Sequence, residues 1–204
     1  EASGADSISI GTLSGASNTH SIAIGEKARA YGIDAIAFGA SANATATNSM
    51  AVGRNARSTA GGSVAVGINT EVTQINSVAM GATAKAYGDS AVSLGVDVVS
   101  RGHSAVAVGA NADALAQSAV SIGDSTLANA HNAVSVGISS QATAERAIAM
   151  GDSTRATAWD GVAIGTAAKA NATGAVAIGK DALANQEAGT AVGIGAEATG
   201  QYAA

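Results

Sequence analysis

The sequence contains no cysteine and no proline, and aromatic residues make up only 2% of its 204 residues. Without cysteine the chain can form neither a disulfide nor a thiolate metal site. Charged residues amount to 12%, against about 25% in an ordinary globular domain. No apolar run approaches the ~20 residues of a membrane-spanning helix. We therefore expect no direct insertion of this segment into a membrane.

Positive charge is also scarce, with 10 Lys and Arg residues against 15 Asp and Glu residues and a net charge of −5. A nucleic-acid surface needs clustered Lys and Arg, whereas these charges are spread along the chain. The charge pattern therefore predicts no nucleic-acid partner.

Glycine is abundant and recurs at a fixed interval of fourteen residues. These anchor glycines are Gly11, Gly25, Gly39, Gly53, Gly67, Gly81, Gly95, Gly109, Gly123, Gly137, Gly151, Gly165 and Gly179. The next match, VGIG, ends at Gly195, so we predict one coil lengthened by two residues over 180–195. Repetition at a short fixed period indicates a solenoid.

Each repeat reads as strand, turn, strand, turn. One and three residues before the anchor glycine stand large apolar residues, most of them β-branched, and between them stands Ala or Ser. Alternation with period two and β-branched residues are typical of strands. A second alternating stretch follows the turn. We call one position of successive repeats a column, and the inner columns of this second stretch contain mostly Ala. The sequence predicts an all-β, parallel β-roll of stacked coils about 4.8 Å apart.

The uniformly small column of the first strand predicts a contact between copies of the chain. We expect the Val and Ile columns to face the inside of the roll, and the small column to face outward. A solvent-facing column has no reason to exclude Lys or Glu, so small residues at every level indicate the close approach of another backbone. The predicted self-association face consists of Ala23, Ala37, Ala51, Ala65, Ala79, Ser93, Ala107, Ser121, Ser135, Ala149, Ala163 and Ala177.

The repeated units resemble the YadA-like head domain of trimeric autotransporter adhesins. The resemblance rests on HSIAIGEKARAYGIDAIAFG at 20–39 and on SVAVG, SVAMG and AVSLG at successive repeats, and it covers essentially the whole chain. It implies a left-handed roll and a homotrimer. The left hand comes from the resemblance alone, because strand crossovers generally favour the right hand.

The resemblance also implies a place and a partner. It predicts a bacterial surface adhesin, outer-membrane anchored through C-terminal regions that this sequence lacks, with a role in virulence. The implied partners are the host cell surface or extracellular-matrix proteins such as collagen, fibronectin and laminin. We expect residues 1–204 to be a single head repeat array excised from a longer passenger, with no neck, stalk or anchor.

Residues that could carry chemistry are few and scattered. His103 and His131 share a column but lie two coils, about 10 Å, apart, which is too far for a shared metal. We expect no catalytic residue, no metal and no cofactor, and therefore no enzyme. No ligand-binding site is identified, and the candidates for one are Tyr31, Tyr87, Arg155 and Lys169. The two tyrosines could instead shield neighbouring backbone.

Three functions fit a rod of this kind. The first is adhesion through many weak, repeated contacts along the side of a trimer. The second is a rigid structural spacer that displays another adhesive domain and has no ligand of its own. The third, ice binding, would need an unbroken threonine ladder, which the outer columns lack. A contact between copies is common to the first two.

Overall fold

The chain is all β in a computed structural model that describes residues 1–200. It divides into two compact units, Glu1–Ser100 and Arg101–Ala204. Each coil contributes a first strand of three residues and a second strand of two. No helix in the described part of the chain could cross a membrane.

The unit Glu1–Ser100 contains strands β1 to β14. The first strands are β1 (Ile8–Ile10), β3 (Ile22–Ile24), β5 (Ile36–Phe38), β7 (Met50–Val52), β9 (Val64–Val66), β11 (Val78–Met80) and β13 (Val92–Leu94). The second strands are β2 (Gly15–Ala16), β4 (Arg29–Ala30), β6 (Asn43–Ala44), β8 (Arg57–Ser58), β10 (Glu71–Val72), β12 (Lys85–Ala86) and β14 (Val99–Ser100).

The unit Arg101–Ala204 repeats the arrangement with strands β15 to β28. The first strands are β15 (Val106–Val108), β17 (Val120–Ile122), β19 (Val134–Val136), β21 (Ile148–Met150), β23 (Val162–Ile164), β25 (Val176–Ile178) and β27 (Thr190–Val192). The second strands are β16 (Asp113–Ala114), β18 (Leu127–Ala128), β20 (Gln141–Ala142), β22 (Arg155–Ala156), β24 (Lys169–Ala170), β26 (Leu183–Ala184) and β28 (Glu197–Ala198).

Within each unit the first strands form one parallel sheet and the second strands form another. The register is one repeat throughout, so that Ile22 pairs with Ile36 and Arg29 pairs with Asn43. Backbone hydrogen bonds between coils continue through the turns, where the Lys27 amide donates to the Thr12 carbonyl at 2.8 Å. These features confirm the predicted parallel β-solenoid, with about fourteen turns.

The predicted lengthening of one coil over 180–195 is wrong. Strand Thr190–Val192 pairs with Val176–Ile178 at the ordinary fourteen-residue register. Gly193 holds the anchor position, with a φ of 127° like the other anchor glycines. Gly195 stands in the left-handed turn position two residues later, with a φ of 64°. The VGIG match misled because Gly occupies two turn positions of this coil.

The interior of the roll is filled almost entirely by the small side chains of Ala and Ser. Four columns point inward, and Ala dominates them; the largest fully buried side chains are Val72 and Val98. Side chains this short cannot span the ~10 Å that separates ordinary stacked sheets, so the two sheets lie closer together. The abundance of alanine follows from this narrow interior.

The predicted direction of the first strand is therefore reversed. Its middle residue, as in Ala23 between Ile22 and Ile24, is fully buried, whereas the flanking apolar residues point outward. The signal was in the variation of each column. A tightly packed interior tolerates little change in volume, and the inward column stays at Ala or Ser while the outward columns range from Val to Phe and Met.

Buried hydroxyls in this interior are hydrogen-bonded. Ser58 Oγ lies 2.6 Å from Ser63 Oγ, and Ser135 Oγ lies 2.6 Å from Ser140 Oγ, each pair within one coil. Thr70 Oγ1 donates to the Gly81 carbonyl of the next coil at 2.7 Å. Within residues 1–200, Ser and Thr therefore enter the alanine columns without leaving a buried hydroxyl group unpaired.

Candidate binding surfaces

The two sheets present chemically different outer surfaces. The first strands present an apolar face, defined by the residue immediately before each anchor glycine. Its most exposed members are Ile10, Phe38, Met80, Ile122, Met150, Ile164, Ile178 and Val192. The second strands present a polar face, made of the outward residues four and six positions after each anchor glycine.

The apolar face exposes large side chains in both units. Phe38 is 52% exposed and Met80 is 46% exposed in the unit Glu1–Ser100, and Met150 is 40% exposed in the unit Arg101–Ala204. The residues three before the anchor, such as Ile36 and Val78, lie beside them and are half-buried. Contiguous apolar surface on a soluble protein marks a contact with another molecule.

The small-residue column cannot provide that contact, so the predicted interface residues need correction. All twelve are completely buried inside the roll of a single chain, which leaves them no surface to offer a second copy: Ala23, Ala37, Ala51, Ala65, Ala79, Ser93, Ala107, Ser121, Ser135, Ala149, Ala163 and Ala177. Their small size does reflect the close approach of another backbone. The backbone that approaches belongs to the opposite sheet of the same roll.

The candidate tyrosines lie on the polar face and contact neighbouring coils. Tyr31 is 42% exposed, and its ring lies so near Gly15 that a Cβ there would come within 3.1 Å of Cε1. The Tyr87 hydroxyl donates to Glu71 Oε2 at 2.6 Å. Tyr31 therefore covers the backbone of a neighbouring coil, and Tyr87 binds a side chain of its own unit.

The candidate cations Arg155 and Lys169 are neighbours in register on the polar face, and both are exposed. Like charges at this spacing repel each other and leave their donors to solvent. On the same column of the other unit, Arg57 Nη1 binds Glu71 Oε1 at 3.1 Å. Lys85 is the partner of Glu71 in register on its other side.

One charged cluster in the unit Arg101–Ala204 lies at turns that follow the second strand of a coil. Arg146 donates two hydrogen bonds to Asp160, from Nε to Oδ1 at 2.6 Å and from Nη2 to Oδ2 at 2.8 Å. This bond from Arg146 lowers the pKa of Asp160, and the same bond raises the pKa of Arg146. The guanidinium also lies 5.6 Å from the centroid of the Trp159 ring, within cation–π distance.

Asp113 differs from Asp160 in that its pKa lies above its ordinary value. Partial burial raises its pKa, and the positive charge of Arg101 partly offsets this. It stands on strand β16 of the polar face, next in register to Leu127. Within residues 1–200, no group of three His, Asp or Glu side chains is placed to hold a metal ion.

In each unit, the fold and surfaces define a repetitive parallel β-solenoid with an apolar and a polar face. The family profile described as YadA head domain repeat (2 copies) matches residues 2–28, 16–42, 30–56, 44–70, 58–83, 73–97, 100–126, 128–154 and 156–182. The chain therefore belongs to the YadA head repeat family. That family and fold are those of an adhesin.

One solved structure adds a comparison. The crystal structure of the collagen-binding domain of Yersinia adhesin YadA is 27% identical in sequence, with a TM-score of 0.45. The match covers 64% of this chain and 65% of that one, so the chain spans slightly less than two thirds of the length of that domain. No curated protein sequence matches the chain.

Proposed function

We propose that this chain is the head segment of a bacterial surface adhesin that binds extracellular-matrix proteins, collagen among them, as a homotrimer. The observation that carries the proposal is the apolar face, which recurs on the first strands of both units. Its parent protein would display it at the cell surface, anchored to the outer membrane by other regions.

The apolar face is the part of the surface that needs a partner copy. A lone roll keeps Phe38 and Met80 about half in water. Full burial of such a side chain stabilises by about 1.5–3 kcal/mol, so removing the exposed half from water contributes about half of that for each residue. A closed ring of copies buries the same face on every member. Three chains with their first strands toward a common axis would leave the polar second strands facing outward.

The polar face is then the surface open to a matrix protein. Its residues change from coil to coil. Binding to a fibrous ligand would come from many modest contacts in three copies, and multivalency raises overall affinity by about 10² to 10⁴ over one copy. Assembly and adhesion are therefore coupled in this proposal.

The test is binding of the purified chain to immobilised collagen, fibronectin and laminin, measured by surface plasmon resonance. The comparison variant, Phe38→Asp with Met80→Asp, places charge on the apolar face and should release single chains. We expect the unaltered chain to be retained on at least one matrix protein, and the variant to bind at least about 100-fold more weakly because avidity is lost.

The matched control is Ile33→Asp with Ile75→Asp. These residues are about as exposed as Phe38 and Met80, at 45% and 51%. They lie in the turn that follows the second strand of each coil, away from the apolar face. The control should bind like the unaltered chain. A trimer that binds none of the three matrix proteins would contradict adhesion by this segment and favour a rigid spacer instead.

A further inference from the structure

The unit Glu1–Ser100 has a groove that is lined by positive and hydrogen-bonding side chains. It lies on the polar face and on the adjoining turns between first and second strands. This basic groove has a volume of about 210 Å³ and is lined by Lys27, Arg29, Ser41, Asn43, Asn55 and Arg57. We infer that it binds an anionic polysaccharide, one that carries sulfate or carboxylate groups together with free hydroxyls. This ligand class goes beyond the matrix proteins of the proposed function.

The groove arises from the stacking of three coils with unequal side chains. Arg29, Asn43 and Arg57 are consecutive in register on strands β4, β6 and β8. The middle coil supplies only the short Ser41 and Asn43, between coils that supply long cations. The two arginines are therefore two strand spacings, about 10 Å, apart, with a depression between them.

Positive charge is concentrated here despite the negative charge of the whole chain. Four of the ten Lys and Arg residues fall within 27–57, with Asp34 as the only acid in that range. Asp34 is engaged elsewhere, since its Oδ1 lies 2.9 Å from His20 Nδ1. No local motif marks this cluster, because the cations are up to thirty residues apart in the chain and meet only by stacking.

The cations differ in how far they are already paired. Lys27 binds Glu26 at 3.0 Å, and Arg57 binds Glu71 at 3.1 Å through one of its nitrogens. Among the described residues Arg29 makes no ion pair. A guanidinium presents five donors in a planar fork that suits sulfate and carboxylate oxygens, so Arg29 is the strongest free anion-binding group of the groove.

Asn43 points to a ligand that donates as well as accepts. Its Oδ1 is buried and accepts no hydrogen bond, alone in this respect among the buried side-chain atoms of the described residues. A buried acceptor without a partner is unfavourable, because it has lost its hydrogen bonds to water. Once the Asn43 amide turns toward the groove, a sugar hydroxyl would satisfy it while sulfate or carboxylate groups of the same chain meet the arginines. An inorganic anion would leave it unpaired.

A nucleic acid fits the groove less well. Recognition of single strands relies on bases stacked on aromatic rings, and none of the residues lining the groove is aromatic. A run of charged sugars needs no aromatic ring.

The test is fluorescence anisotropy with a labelled heparin octasaccharide, with hyaluronan of the same length and a single-stranded oligonucleotide in parallel. We expect saturable binding of heparin or hyaluronan that weakens about tenfold in Arg29→Gln, because one charge-assisted hydrogen-bonding group is lost. Binding of heparin alone assigns sulfate as the recognised group, and binding of both polysaccharides assigns carboxylate as sufficient. Failure of both to bind, or tighter binding of the oligonucleotide, would overturn the inference.

The matched control is Arg155→Gln, which removes one exposed arginine from the same column of the polar face in the other unit. It should leave heparin affinity within about twofold, and an equal loss in both variants would show diffuse charge rather than a site. Binding to collagen is measured with the same proteins. Retained collagen binding with no polysaccharide binding would reject the groove alone, whereas the reverse result would reject the proposed adhesion to matrix proteins.

Discussion

At the scale of single residues, the anchor glycine fixes the geometry of every coil. Its φ lies between 119° and 142° along the array, a region that residues with a Cβ rarely adopt. It also stacks directly on the next coil, and a Cβ on Gly25 would meet the carbonyl oxygen of Gly39 at 2.5 Å. The position therefore demands glycine for both its backbone angle and its contact.

Replacement of Gly25 by alanine should lower the free energy of unfolding by at least about 2 kcal/mol, since strain and a backbone clash add together. Urea denaturation followed by circular dichroism measures the change. Gly61→Ala is the control, because Gly61 has an ordinary φ and its nearest neighbour, the Thr47 carbonyl oxygen, would lie 3.7 Å from the new Cβ. The control should change stability by less than about 0.5 kcal/mol. Equal losses would contradict the role given to the anchor.

At the scale of the strand, period and register follow from the sequence, but direction does not. Alternation of Ile22, Ala23 and Ile24 says that neighbours face opposite ways, and a strand is equally consistent with either face inward. General burial preferences favour Ile inside, and that preference misplaced the interface. What decides the direction is the distance between the two sheets, and the opposite strand, with Ala30 inward, permits only small partners.

Surface features differ in how far they can be predicted from the sequence, because some depend only on the repeat period and others on the lengths of neighbouring side chains. The Arg146–Asp160 pair was predictable because the two residues are one repeat apart. The basic groove depends on how side chains of three coils differ in length, and no motif records that. A map of the sequence wrapped at fourteen residues would have brought Arg29, Asn43 and Arg57 together, although it would not have shown the depression between them.

Overpacking tests the direction of the strand. Ala79→Leu adds three carbon atoms to the closed interior and should lower the free energy of unfolding by about 1–3 kcal/mol. Ala82→Leu makes the same change three residues later, in an exposed turn of the same coil, and should alter stability by less than about 0.5 kcal/mol. Thermal or urea unfolding of the two variants gives the comparison. Tolerance of leucine at Ala79 would place that column outside the roll.

At the scale of the whole molecule, a narrow interior and an exposed apolar face belong together. Alanine methyl groups bury little area, so the roll gains less from its own core than a domain built on Leu and Phe does. Its larger apolar side chains are instead available to other copies. The homotrimer and the left hand of the roll stay predictions, and the homotrimer is the one on which the proposed adhesion depends.

The most direct test is the mass of the chain in solution by sedimentation equilibrium, with folding checked by circular dichroism. The account predicts three times the mass of one chain, and the mass of one chain for the folded variant with Phe38→Asp and Met80→Asp. A folded, unaltered chain that sediments as a single copy at micromolar concentration would contradict it.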